Sequence, residues 1–287
     1  MLTPATAERI VQDILHQKFG FFPVDRTLVD EVSGQWLAFV QRRIKTGDAA
    51  DWLFTNEGEE ESDVGLVVKS GETHQYGQYD HKLLFQNSVR LRRQLARKDL
   101  AAADWVFLAQ HRVLMEHVQR VELRLLEELE RLTGESGIVG SVIRSALKPI
   151  PYAMSTLRAL VYQAVAGQKG AQKHLDRGFL TLHSGDVNGR LVYFDGPDDD
   201  SPKPIDVPSG YGVAFPGIKW LWVFAGKYQP LWHGAEVTSD GERVAHPYFS
   251  HVELCGYMVR DFRAALQDFH STFLPLMQQG QYHWRMA

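Results

Sequence analysis

The chain has 287 residues, 44% of them hydrophobic, enough to bury a full core as one large domain or two intimate ones. With 31 basic against 35 acidic residues the net charge is -4, which gives neither the electrostatic footprint of a nucleic-acid binder nor a polybasic membrane-facing surface. A single cysteine, Cys255, excludes an internal disulfide and suits a reducing cytoplasm. No stretch approaches the ~20 apolar residues of a membrane span. The opening "MLTPATAERIVQDIL" has no basic segment followed by a long apolar run, so no signal peptide is expected and the protein is read as cytoplasmic.

In chain order, apolar residues recur at three and four from Thr6 to Lys18, from Thr27 to Ile44 and from Leu100 to Thr133, predicting amphipathic helices. The third keeps its stripe through Trp105, Leu108, Val113, Leu114, Val118, Val121, Leu125, Leu129 and Leu132. Between the second and third lie an acidic run at 56–63, expected to be a solvated loop, and a basic run from Ser88 with helical spacing. Arg90, Arg92 and Arg93 of that basic run are expected on a charged helix face, with contact to an anionic substrate as the other possibility.

After Pro151 the texture changes to short runs of β-branched and aromatic residues punctuated by glycine, proline and aspartate. Strands are predicted at Thr156–Ala164, Gln172–Asp176, Phe179–His183, Leu191–Asp195, Pro204–Val207, Gly212–Pro216, Trp220–Phe224, Gln229–Leu231 and Arg243–Val252. The turn formers at 195–204 read as a hairpin tip. Cys255 is expected to be a small buried hydrophobe on a strand, and the chain closes on a helical pattern from Arg260 to Met277. So many short, closely spaced strands predict a jelly-roll, or double-stranded β-helix, core. The fold is expected to be mainly β with flanking helices. One unit spans 1–287, with a mainly helical part at 1–150, the core with the metal site at 151–257 and a closing helix at 258–287.

The stretch "AQKHLDRGFLTLHSGD" sets His174 and Asp176 one residue apart in a strand pattern, so both face one side while Leu175 and Arg177 face the other. Alone the pair is weak evidence. His233, in "QPLWHGAEV" several predicted strands later, supplies a second imidazole. Two histidines and one carboxylate form the facial set that suits non-haem Fe(II) and leaves open positions for other ligands.

Further on stands Arg243 in "GERVAHPYFSHVEL". With "HLDRGFLTL", whose His174, Asp176, Gly178, Leu180, Thr181 and Leu182 match a family pattern, and with His233 and Arg243, the chain resembles the Fe(II)- and 2-oxoglutarate-dependent oxygenases of the isopenicillin N synthase-like branch. "STLRALVYQ" extends the resemblance through Leu157, Arg158 and Tyr162, and "YDHKLLF" and "FGFFPV" extend it more weakly toward the N-terminus. Leu160 and Ala245 stand where the family usually carries asparagine and serine.

The resemblance implies Fe(II) held by His174, Asp176 and His233, with 2-oxoglutarate and dioxygen as co-substrates and Arg243 and Tyr162 binding the 2-oxo acid. A guanidinium grips a carboxylate through paired hydrogen bonds that an ammonium cannot form. Because Ala245 offers no hydroxyl, Tyr162, His246 and Tyr248 are candidates to help Arg243. Asp176 favours hydroxylation or desaturation over halogenation, and Gly178 is expected to let the backbone turn behind the metal. Trp220, Trp222 and Trp232 are read as core or barrel-wall aromatics, His251 as structural, and His183 and His246 as residues that could support the ligands.

The expected function is an oxygenase that hydroxylates or otherwise oxidises a small organic substrate, releasing succinate and CO2, with no nucleic-acid or membrane partner. An Fe(II) oxidase that takes its electrons from the substrate, without 2-oxoglutarate, is the alternative. A non-catalytic jelly-roll binding protein, its histidines holding zinc or nothing, is a third reading.

Overall fold

The computed structural model describes residues 2–54, 64–73, 79–88, 91, 94–95, 100–147, 155–164 and 169–252. The acidic run 56–63, Arg90, Arg92, Arg93, Cys255 and the expected closing helix lie outside the described residues.

The helices follow their local signals. In α1 (Pro4–Gln17) the Thr3 side-chain oxygen accepts from the Thr6 amide at 3.2 Å, and Pro4 occupies the first turn, where an N–H would have no helical partner. In α2 (Arg26–Thr46) Asp25 caps the Leu28 amide in the same way, and Gly47, at φ 73°, closes the helix in the left-handed region. The long α3 (Ala102–Thr133) ends on Gly134, and a shorter α4 (Ile138–Leu147), which the periodicity did not announce, follows.

The stripe of α3 is not the one predicted at every position. Trp105 and Val113 are 57% and 49% exposed, whereas Phe107, His111, Leu114, Val118, Val121 and Leu125 point inward. Asp104 sets the phase of the first turn. Its carboxylate receives Arg43 of α2 at 3.0 Å and Arg42 at 3.2 Å, and Trp105, about 100° further round the helix, is left in solvent.

Twelve strands complete the described residues: β1 (Gly20–Pro23), β2 (Leu53–Phe54), β3 (Val64–Thr73), β4 (Tyr79–Asn87), β5 (Thr156–Ala164), β6 (Lys169–His174), β7 (Leu180–Val187), β8 (Gly189–Phe194), β9 (Lys203–Pro204), β10 (Tyr211–Pro216), β11 (Trp232–Val237) and β12 (Gly241–Ser250). They form two antiparallel sheets, β1-β10-β7-β12-β5-β4-β3-β2 and β6-β11-β8-β9. From β5 to β12 the chain crosses from one sheet to the other at all but one connection, which is the jelly roll the strand count predicts. Leu191, Ile205, Val213, Phe215, Leu231 and Ala235 fill the space between the sheets on one side. Leu84, Leu160, Tyr162 and Ala245 fill it on the other.

The helices cover the outer face of the large sheet, α1 against β1 and β10, α2 against β5, and α3 against β7 and β12. There Trp36, Phe39, Phe85 and Phe107 pack ring on ring, with Phe39 and Phe107 centroids 4.9 Å apart and Phe85 edge-on to Phe107 at 5.0 Å. Each is fully buried and contributes roughly 2 kcal/mol by removal from water. No helix among the described residues is long and apolar enough to cross a membrane.

Trp220–Phe224, expected as a strand, is instead a helical turn, α5 (Trp220–Val223). Its alternating tryptophans mimic the period of a strand, but Trp220, Leu221, Trp222 and Val223 are all buried, so no solvent face exists to define an alternation. The tryptophans are core residues, as expected. The strand predicted at Gln229–Leu231 starts later, at Trp232, and the one at Gln172–Asp176 ends at His174.

Candidate metal centre

His174 closes β6 and His233 lies on β11; they are direct cross-strand partners, with ring centroids 4.4 Å apart. Asp176 stands two residues past His174, beyond the strand end rather than on its alternating face. Leu175 therefore does not turn away into solvent but is buried, whereas Arg177 is exposed. What brings Asp176 round is a backbone clamp. The amides of Gly217, Ile218 and Lys219 donate to the carbonyls of Phe179 at 2.9 Å, Asp176 at 2.8 Å and Gly178 at 3.2 Å, tying the loop after β6 to the turn that opens α5.

Gly178 has a different role from the expected one. It is not in the left-handed region; a side chain there would put its Cβ 2.7 Å from the Ser250 carbonyl oxygen, so β12 can pass close only because no side chain intervenes.

One ligand atom from each of His174, Asp176 and His233 lies within 4.8 Å of the others. The two Nε2 atoms approach opposite carboxylate oxygens, His174 to Oδ1 and His233 to Oδ2, each at 3.5 Å. Each Nδ1 is committed to the backbone, His174 donating to Gln172 O at 2.6 Å and His233 to Leu231 O at 3.0 Å. Those bonds fix the tautomers that leave Nε2 with its lone pair toward the carboxylate. Thr181 donates its hydroxyl to Asp176 Oδ2 at 2.6 Å, which orients the carboxylate and leaves Oδ1 for a cation.

Burial opposes the charge on Asp176, yet His233, His174 and the Thr181 hydroxyl outweigh it and hold the carboxyl well below its usual range. Burial pushes His233 down to about 4. His174 is raised despite its burial, because the hydrogen bond and charge of Asp176 favour the proton a cation would replace. Phe215 covers the His233 ring at 4.5 Å and keeps water from that side. Two oriented imidazoles around an ionised carboxylate fit a divalent first-row metal such as Fe(II).

Tyr162 and Arg243 are brought together as cross-strand partners on β5 and β12, with the guanidinium 5.0 Å over the ring. Arg243 is nearly buried and is held by Asp186, a residue the sequence did not single out. His183 lies 3.5 Å from the same Asp186 carboxylate, and burial lowers its pKa.

The other two candidate helpers of Arg243 face away. His246 shares a hydrogen bond with Ser33 of α2 at 2.8 Å, and Tyr248 donates to Glu122 of α3 at 2.9 Å. Both occupy the helix-facing side of β12 with Val244, because alternation along a strand that keeps one register with β5 sends 244, 246 and 248 to the face opposite Arg243 and Ala245. His251 has a packing role, its ring 3.3 Å from the Lys219 ammonium.

No family model and no curated protein sequence matches the chain. Solved structures do. A full-length Neurospora crassa protein, solved in complex with alpha-KG, shares 15% identity over 88% of this chain and 81% of that one, at a TM-score of 0.65. Dioxygenase for auxin oxidation 1 from Arabidopsis thaliana, solved with 2-oxoglutarate, shares 14% identity over 89% of this chain and 91% of that one, at 0.64. A provisionally assigned 2OG-Fe(II) oxygenase family protein from Caulobacter crescentus shares 17% identity over 86% and 83%, at 0.62. At such identities the likeness is one of fold, and the chain has the fold of the 2OG-Fe(II) oxygenases, with a His-Asp-His group inside its barrel.

Proposed function

We propose that the protein is an Fe(II)- and 2-oxoglutarate-dependent dioxygenase that hydroxylates or otherwise oxidises a small organic substrate in the cytoplasm. The observation that carries this reading is the converging group His174, Asp176 and His233, each side chain oriented by a separate hydrogen bond. The reaction consumes the 2-oxo acid and dioxygen, placing one oxygen atom in succinate and the other in the hydroxylated substrate or, on desaturation, in water, with CO2 released. Fe(II) bound by the three side chains supplies the activation of dioxygen.

The chain's own residues do the rest. Gln172 O and Leu231 O each accept from an Nδ1 and so aim the two Nε2 atoms, and Thr181 holds one carboxylate oxygen so that the other would be left for the metal. Phe215 shields His233 from solvent, and Tyr162 with Arg243, itself paired with Asp186, lies where the resemblance puts the far end of the 2-oxo acid. A carboxylate at 176 leaves no vacancy for a halide, which favours hydroxylation or desaturation.

The two similar folds solved with 2-oxoglutarate or alpha-KG support this reading over an oxidase that needs no 2-oxo acid. Succinate formation on supplying Fe(II), 2-oxoglutarate and oxygen tests it. Succinate release that His174→Ala, Asp176→Ala and His233→Ala abolish is the expected result. Iron binding that survives those changes while the fold collapses would instead mark a structural site in a binding protein.

A further inference from the structure

Arg243 already faces a carboxylate of its own chain. Nε lies 2.7 Å from Asp186 Oδ1, and Nη2 donates to Oδ2 at 2.8 Å, with the two side chains 3% and 10% exposed. The pair is built into the fold at three points. The register shift between β7 and β12 brings Asp186 to the face that carries His183. Ala245, the cross-strand partner of Asp186, offers no hydroxyl in its place. A Cβ at Gly189 would stand 2.4 Å from Arg243 Nε and 2.8 Å from Asp186 Oδ1, so the pair fits beneath β8 only because that position is glycine. A cavity of about 360 Å³, lined by His183, Asp186, Gly189, Leu191, Ile205 and Tyr211 among others, opens beside it.

A guanidinium binds a carboxylate best through a fork of two parallel N–H groups. On that side of Arg243, Nη2 donates to Asp186 Oδ2 and Nε lies in ion-pair contact with Oδ1, and the guanidinium carbon stands 5.0 Å over the Tyr162 ring. A second carboxylate would have to share the guanidinium beside a like charge, at a cost that burial raises.

We infer that Asp186 is a selectivity-determining residue, which occupies the arginine that would otherwise grip the distal carboxylate of a 2-oxo acid. The far end of the site is a neutral ion pair rather than a free cation. The protein therefore discriminates weakly between 2-oxoglutarate and a 2-oxo acid without a distal carboxylate. This rests on the 2-oxo acid reading above.

Anaerobic titration of the Fe(II)-loaded protein with 2-oxoglutarate and with 2-oxobutanoate, followed by the visible absorption of the iron chelate, tests it. Wild-type protein should separate the two acids by less than about tenfold in dissociation constant. Asp186→Asn, which keeps the shape and removes the charge, should tighten 2-oxoglutarate by about tenfold or more and leave 2-oxobutanoate unchanged. A wild-type preference for 2-oxoglutarate of about a hundredfold overturns the inference, as does a D186N variant that binds it no tighter. If D186N does not fold, the wild-type comparison alone decides. Iron binding with no chelate from either acid, in wild type and variant alike, overturns the 2-oxo acid reading and this inference with it; chelation by both acids with no response to D186N overturns only the inference.

Discussion

The carbonyl oxygen of Asp176 accepts a hydrogen bond from the amide of Ile218 at 2.8 Å, so the position of the candidate carboxylate ligand is set by a buried helical turn distant in sequence. The metal group is held by backbone on one side and by β11 on the other. That makes the loop between β6 and β7 as consequential as the ligands themselves.

Gly217→Ala should damage the site without touching a ligand. The added Cβ would meet the Gly178 carbonyl oxygen at 2.3 Å, and backbone on both sides leaves little room to yield. A loss of roughly 1–3 kcal/mol in urea unfolding, together with weakened Fe(II) binding, is expected. Retention of both at wild-type values would show that the clamp does not position Asp176.

Thr181→Val tests the orientation of Asp176 directly. The hydroxyl is buried and bonds Oδ2 at 2.6 Å, and valine keeps the shape. Fe(II) affinity, measured anaerobically against a chromophoric chelator, should fall by about 10- to 100-fold. Thr181→Ser should restore most of it.

Glu122 gives stability a pH dependence of definite sign. Burial raises its carboxyl from 4.5 to about 7, with Tyr248 donating to one oxygen. The folded chain keeps this proton where the unfolded chain has released it, so stability falls as pH rises from about 4.5 through about 7 and then levels, by about 3 kcal/mol in all. Glu122→Gln, which can still accept from Tyr248, should be more stable than wild type at about pH 8 and nearly equal to it at about pH 5. Urea unfolding at the two pH values checks this, and a difference independent of pH would contradict it.

Asp104 and its neighbour Trp105 should respond in opposite measure to alanine. Asp104→Ala leaves Arg43 nearly buried with only Asp48, at 2.6 Å, and should cost about 3 kcal/mol. Trp105→Ala removes a mostly exposed ring and should change stability by no more than about 0.5 kcal/mol. Chemical denaturation of the two variants is sufficient. A large loss for Trp105→Ala would mean that something else covers that face.

The long helices were legible because burial of one face imposes a period on the sequence, and the capping residues Thr3, Asp25 and Gly47 mark their ends. The strand at Thr156–Ala164 was equally legible, bounded as predicted. Trp220–Val223 misled because a segment buried on every side carries no period, and α4 and the β3-β4 hairpin carried no signal strong enough to predict them. Asp186 was invisible for another reason. An aspartate next to a glycine and close to an asparagine reads as a turn residue, and nothing local tells of a guanidinium on another strand.

The amino-acid sequence by itself singled out His174, Asp176 and His233 as a candidate metal group, and its resemblance to the oxygenases singled out Tyr162 and Arg243; the fold brings the first three within 4.8 Å and pairs the other two across β5 and β12. The tertiary structure alone decided that Asp176 reaches the histidines from beyond the strand end and that Arg243 is already matched by a carboxylate. Each of those depends on a register shift, a backbone clamp or a glycine-sized gap between distant segments. Such features arise from packing between strands and are not written in the period of any one of them.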